Sequence, residues 1–97
     1  MDTGVIDNPD QSRFELRVGG ALATATYRIE GHRVILIHTE VPPELSGQGI
    51  GSRLAQGVFQ SLRESGRKVV VECPFMAAWA SRHAEHADLA DGPERNS

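Results

Sequence analysis

The feature that most constrains this chain is a change of hydrophobic period at Pro42-Pro43. Before it, Phe14, Leu16 and Val18 alternate along one side of an extended segment, as a strand requires. After it, Ile50, Leu54, Val58 and Leu62 recur every four residues, with Ala55 and Phe59 beside them. That stripe belongs to one face of an amphipathic helix. Proline cannot donate to a sheet ladder, so the pair marks the end of the preceding strand.

The remaining elements follow from this division. Gly19-Gly20 reads as a two-residue hairpin turn between strands over 13–18 and 21–30, and Gly31-His32 is a second turn signal. The run Val34-Ile35-Leu36-Ile37 in the next strand, 33–41, suggests burial on both faces. Gly66 stands where a helix C-cap belongs, Val69-Val70-Val71 forms a short buried strand, and Cys73-Pro74 opens a second helix. Strand, helix, strand is a right-handed crossover, so the last strand is expected parallel to the third. The predicted fold is therefore α/β of the α+β kind: an antiparallel meander, a parallel crossover and a final helix. Residues 1–11 are expected as a flexible leader, 12–89 as the folded domain and 90–97 as a flexible tail.

Composition narrows the function. The 97 residues suit one domain, and a net charge of −3 provides no global basic footprint for nucleic acid. No apolar run reaches the roughly 20 residues a membrane span needs. The first ten residues are acidic and polar, unlike a secretory signal, and the single cysteine fits a reducing compartment. A cytoplasmic location is the expectation.

The strongest chemical signal is Ser46-Gly47-Gln48-Gly49-Ile50-Gly51-Ser52, between a buried strand and a clean helix. Three glycines in five residues leave the backbone bare, and the first amides of a helix have no intrahelical acceptors. Together they suit a pyrophosphate. An unliganded glycine-rich turn is the bland alternative. A Walker loop would need Gly-Lys-Ser/Thr, which is missing. A dinucleotide fingerprint is approached by Gly47-x-Gly49-x-x-Ser52, with Glu72 about 20 residues on. The long lead-in from Pro42 and the single crossover both count against it.

The same residues resemble the GNAT acetyltransferases, which carry Gln/Arg-x-x-Gly-x-Gly/Ala at this junction after an antiparallel meander. Gly49 and Gly51 match, and Ser46 stands at the Gln/Arg position as a departure. More specifically, His38-Thr39-Glu40-Val41-Pro42-Pro43-Glu44-Leu45, Gly47-Gln48-Gly49-Ile50-Gly51, Cys73-Pro74-Phe75 and Arg82-His83 resemble a small single-domain subfamily of about 100 residues. The resemblance spans roughly 14–89. It implies an N-acetyltransferase that takes acetyl-CoA as co-substrate and an amine as acceptor. It implies that the backbone of Thr39 and Val41 pairs with the pantetheine arm, and that Gly47, Gln48, Gly49, Ile50, Gly51 and Ser52 hold the pyrophosphate. It also implies a role for Cys73 near the acetyl group.

Acetyl transfer needs a base for the amine proton and a donor for the leaving thiolate. His38 and Glu40 are two apart on one strand, so they share a face and are the candidate bases. Their bland alternatives are an interior histidine and a solvated carboxylate. Cys73 joins a parallel strand to a helix N-terminus, a place that favours a reactive thiol. It could donate a proton, form a transient acetyl-cysteine, or simply pack as a small hydrophobe. The acid tyrosine common on the last GNAT helix is missing, since Tyr27 is the only tyrosine and lies on an early strand. His83 and His86 lack further ligands for a metal, so no metal is expected. Trp79 reads as core or pocket wall.

No acidic or aromatic cage marks one acceptor, which leaves small-molecule and protein amines both open. The chief rival from another class is a catalytically weak CoA-binding sensor or interaction module.

Overall fold

A computed structural model of the chain describes residues 4–83. Five strands form one sheet in the order β1-β2-β3-β4-β5: β1 Val5–Asn8, β2 Arg13–Val18, β3 Ala21–Glu30, β4 Arg33–Glu40 and β5 Lys68–Val71. The first four are antiparallel neighbours, and β5 lies parallel to β4. Between β4 and β5 runs α1, Ile50–Ser65, and α2, Pro74–Ser81, follows β5. This is the mixed α+β sheet with a parallel crossover that the sequence predicts.

Both helices contribute to a single core against one face of the sheet. In β3, Ala21, Ala23, Ala25 and Tyr27 alternate as buried residues, and in β2 Phe14 and Leu16 do the same. These small alanines let α1 lie close, and it buries Ile50, Leu54, Ala55, Gly57, Val58, Phe59 and Leu62 on them. The stripe expected from the sequence is thus the packed face. At its end, Gly66 takes the left-handed conformation at φ 75° and donates its amide to the Arg63 carbonyl at 3.2 Å. Trp79 on α2 stacks on Phe59 with ring centroids 5.5 Å apart and planes 6° from parallel, locking the two helices together.

The run Val34-Ile35-Leu36 is buried on both faces, as its composition suggested. Val34 and Leu36 belong to the helix-side core, whereas Ile35 pairs with Val70 on the opposite face. There Arg28, the β3 partner of Ile35, reaches across β4 to within 3.9 Å of Glu72. Ile37 departs from the expectation and is 36% exposed. The reason is a β-bulge: Tyr27 pairs with Leu36 but Thr26 pairs with His38, so Ile37 is an extra residue in β4.

The expected flexible leader over 1–11 is corrected in its latter part. Val5–Asn8 is a paired edge strand, and Pro9–Gln11 is a short 3-10 turn. Side-chain bonds from distant residues hold it there. The Tyr27 hydroxyl donates to Asp7 Oδ1 at 2.6 Å, and Asn8 Nδ2 donates to Glu15 Oε2 at 2.9 Å. Local polarity could not reveal partners that lie on other strands. The expected tail, 90–97, lies outside the described residues. Among the described residues, no helix is long and apolar enough to cross a membrane.

Tyr27 ties this edge to the core, and its titration reports the tie. Burial and then the bond to Asp7 push its pKa up to about 12. A raised pKa means the fold favours the neutral phenol. This contribution is fully present below the ordinary phenol value near pH 10 and is lost as pH rises to about 12. Because the chain has one tyrosine, phenolate absorbance should show a single folded-state midpoint near 12. In Tyr27→Phe, the loss of stability across that window should disappear. An ordinary midpoint near 10 in the folded protein would contradict the contact.

Candidate functional site

Parallel pairing between β4 and β5 begins at Arg33 with Lys68 and ends at Leu36 with Val71. Beyond that point the strands part. The Leu36 carbonyl accepts the amides of both Glu72, at 2.9 Å, and Cys73, at 3.1 Å, and closes the ladder. β4 continues through Glu40, still paired with β3 but with no described strand on its other edge. The result is a fork whose walls are residues 37–40 and the start of α2.

The bulge at Ile37 decides which side chains face which way. Thr39 pairs with Ala25, a core residue, so it lies on the helix side. His38 pairs with Thr26 and Glu40 with Thr24, so both lie on the opposite, open face, and both are exposed. Their sharing of a face follows the sequence reading. Cys73 is buried on the helix side, with Sγ 3.2 Å from Thr39 Oγ1. Thus the structure brings Thr39 and Cys73 together at the fork, while His38 and Glu40 flank the same gap from the other face.

The glycine segment lies at the end of the same strand. Pro43–Leu45 forms a 3-10 turn, and buried Leu45 anchors it to the core. Ser46, the departure at the Gln/Arg position, is tied to its own turn by a 2.9 Å bond to the Pro43 carbonyl. The Gln48 side-chain amide likewise donates to the Glu44 carbonyl at 3.2 Å. Gly47 and Gly49 have φ of +80° and +72°, and Gly49 is the N-cap of α1. The first helical bond is Arg53 N to Gly49 O at 3.0 Å. The amides of Ile50, Gly51 and Ser52 therefore have no backbone acceptor among the described residues. No side-chain cap takes their place.

The turn and the fork adjoin. A Cβ added at Gly51 would lie 2.9 Å from Phe75 Cζ, so the ring of Phe75 rests against the start of α1. Phe75 is nevertheless 40% exposed. Bare amides, the Thr39-Cys73 contact and an exposed aromatic ring thus share one end of the molecule. A separate cavity of about 390 Å³, lined by Asp7, Tyr27, Leu62 and Arg67 among others, lies at the C-terminal end of α1. Its walls include none of the residues of the fork or the glycine turn.

Sequence reasoning missed three contacts here. Thr39 was singled out for its backbone, yet its hydroxyl touches the thiol. Trp79, expected as core or pocket wall, is buried but also donates its indole N–H to Ser52 Oγ at 2.8 Å. His83, weighed in the sequence as a metal ligand, stacks on Trp79 with ring centroids 3.8 Å apart. Aromatic spacing on α2 signals packing, but it does not say which polar atom on α1 the indole meets. No group of three or more His, Cys, Asp or Glu among the described residues is placed to hold a metal. His86 lies outside them.

Comparison with known proteins adds an independent line. A family model described as GCN5-related N-acetyl-transferase matches residues 13–89. In structure, the chain is similar to the solution NMR structure of a GCN5-like candidate N-acetyltransferase from Staphylococcus aureus. The two are 27% identical, the match covers 99% of this chain and 96% of that one, and the TM-score is 0.70. No curated protein sequence matches.

The positive φ at Gly49 yields a stability test. Added to Gly49, a Cβ would meet nothing within 4 Å, so the cost of a side chain is conformational. Gly49→Ala should lower the unfolding free energy by about 1–2 kcal/mol in urea titrations. Gly49→Asn should lose less, because asparagine tolerates the left-handed region. An alanine variant as stable as the native protein would show that the turn does not need this conformation.

Proposed function

This chain belongs to the GCN5-related N-acetyltransferase family, and from that premise we propose that it binds acetyl-CoA and transfers the acetyl group to an amine. The observation that carries the reading is the juxtaposition of unsatisfied amides at Ile50–Ser52 with the fork between β4 and β5. A pyrophosphate offers oxygens to three bare N–H groups at the positive end of a 16-residue helix. From there a pantetheine arm can follow the free edge of β4 past Thr39 and Val41, as added backbone pairing. The thioester would then lie in the fork, beside Cys73.

Acetyl-CoA supplies an activated acyl carbon. The amine nitrogen attacks it, loses a proton, and the C–S bond breaks to release a thiolate that must be protonated. The placement of side chains on two faces suits this sequence. His38 and Glu40 stand on the open face, where an acceptor amine can approach and hand its proton to a base. Cys73 stands on the helix side, where its thiol can give a proton to the leaving sulfur. Direct attack by the amine needs no acetyl-enzyme, and Cys73 then acts as proton donor. The acceptor class is an amine, borne by a small molecule or a protein.

The test is calorimetric and kinetic. The native protein should bind CoA, and Cys73→Ala should keep that affinity within about threefold. Its turnover with an amine pool should fall about a hundredfold or more, the usual worth of one general acid. Intact mass after incubation with acetyl-CoA alone should show no acetyl adduct. Native turnover in Cys73→Ala would shift the chemistry to His38 or Glu40. CoA binding with no turnover on any amine would leave a binding module.

A further inference from the structure

We propose that Trp79 is a positioning residue for the phosphate site, holding the Ser52 hydroxyl so that its proton is directed to a bound phosphate oxygen. The inference rests on the CoA reading above for the identity of the phosphate. Ser52 is the third residue of α1 and carries one of the three bare amides. Its side chain is exposed.

A serine in a helix can turn its hydroxyl back to a carbonyl in the preceding turn. Two other serines in this chain do so: Ser65 donates to the Leu62 carbonyl at 2.8 Å and Ser81 to the Ala78 carbonyl at 2.9 Å. Ser52 does not. Its oxygen accepts the indole N–H of Trp79 at 2.8 Å. An indole nitrogen only donates, so the bond must use a lone pair of the hydroxyl oxygen. The hydroxyl proton is left over and points away from the indole. No described residue accepts it.

Trp79 is held where it can impose this. Its ring is stacked with both Phe59 and His83, the latter with centroids 3.8 Å apart and planes 11° from parallel. His83 Nδ1 in turn sits 2.7 Å from the Trp79 carbonyl, which fixes the proton on Nδ1. The indole is 2% exposed and cannot rotate without unstacking both neighbours. Ser52 therefore presents an amide and an oriented hydroxyl at the start of α1, and α2 sets the direction of the second. A charge-assisted bond of this kind is stronger than one between neutral groups.

Three variants test the proposal: Ser52→Ala, Trp79→Phe and the double substitution. Phenylalanine keeps an aromatic ring against Phe59 and His83 and removes the N–H together with part of the ring area, so pantetheine binding serves as the control for lost packing. Calorimetry with CoA should show about a tenfold loss for Ser52→Ala, a several-fold loss for Trp79→Phe, and no further loss in the double variant beyond Ser52→Ala. Pantetheine, which lacks the pyrophosphate, should bind all four proteins alike by NMR titration. The chain has one tryptophan, so a single indole N–H resonance should shift and exchange faster in ligand-free Ser52→Ala. Additive losses, or weaker pantetheine binding in Trp79→Phe, would show a general packing role and overturn the proposal. Native CoA affinity in Ser52→Ala would overturn it while leaving CoA binding intact. A native protein that binds no CoA would overturn the parent reading, and this one with it.

Discussion

The parting of β4 from β5 after Leu36 is the constraint on which the rest of this molecule depends. One carbonyl, that of Leu36, ends the parallel ladder by taking the amides of Glu72 and Cys73. An extra residue in β4, Ile37, shifts the following side chains by one face at the same point. Had the ladder continued, β5 would cover the edge of residues 37–40 and no gap would exist. Without the bulge, the alternation would have carried Thr39 to the open face, away from the thiol it contacts. The separation costs ladder hydrogen bonds and leaves the edge of residues 37–40 with no paired strand among the described residues. Such defects cluster at functional sites, where a ligand can restore the missing partners.

Packing holds the fork open. α1 presses on the alanines of β3 and cannot follow β4 outward, while α2 is clamped to α1 by the Phe59-Trp79 stack. Cys73 is the N-cap of α2 and the last residue before the chain turns. The helix that locks the core therefore also carries the thiol to the gap and Phe75 to the glycine turn. A chain this small has few elements to spare, and each one both packs and positions.

Much of this was legible in the residues. Period two up to Pro42 and period near 3.6 after Ile50 determined the order of elements, because those periods follow from backbone geometry. Pro74 fixed one boundary because it lacks the N–H that a helix interior needs, and Gly66 another through a left-handed conformation that other residues adopt at a cost. The glycine turn was legible for the same reason. What stayed hidden depended on neighbours remote in sequence. Asp7 looked like part of a polar leader until Tyr27, on another strand, supplied its bond. The bulge left no mark on the run Val34-Ile35-Leu36-Ile37, whose members are all apolar. His38 and Glu40 were correctly set on one face, but only the register shows that Cys73 lies on the other. The Ser52-Trp79 bond joins two helices whose crossing no local pattern specifies.

The central claim is that CoA spans the glycine turn and the fork as one site. Amide chemical-shift mapping on the ¹⁵N-labelled protein tests it most directly, since every wall of the site includes backbone N–H groups. The account predicts that added CoA moves the resonances of Gly49, Ile50, Gly51 and Ser52 together with those of Thr39, Glu40 and Cys73. Resonances near Asp7 and Arg67, at the far end of α1, should stay where they are. Shifts confined to that far cavity, or none at saturating CoA, would contradict the account.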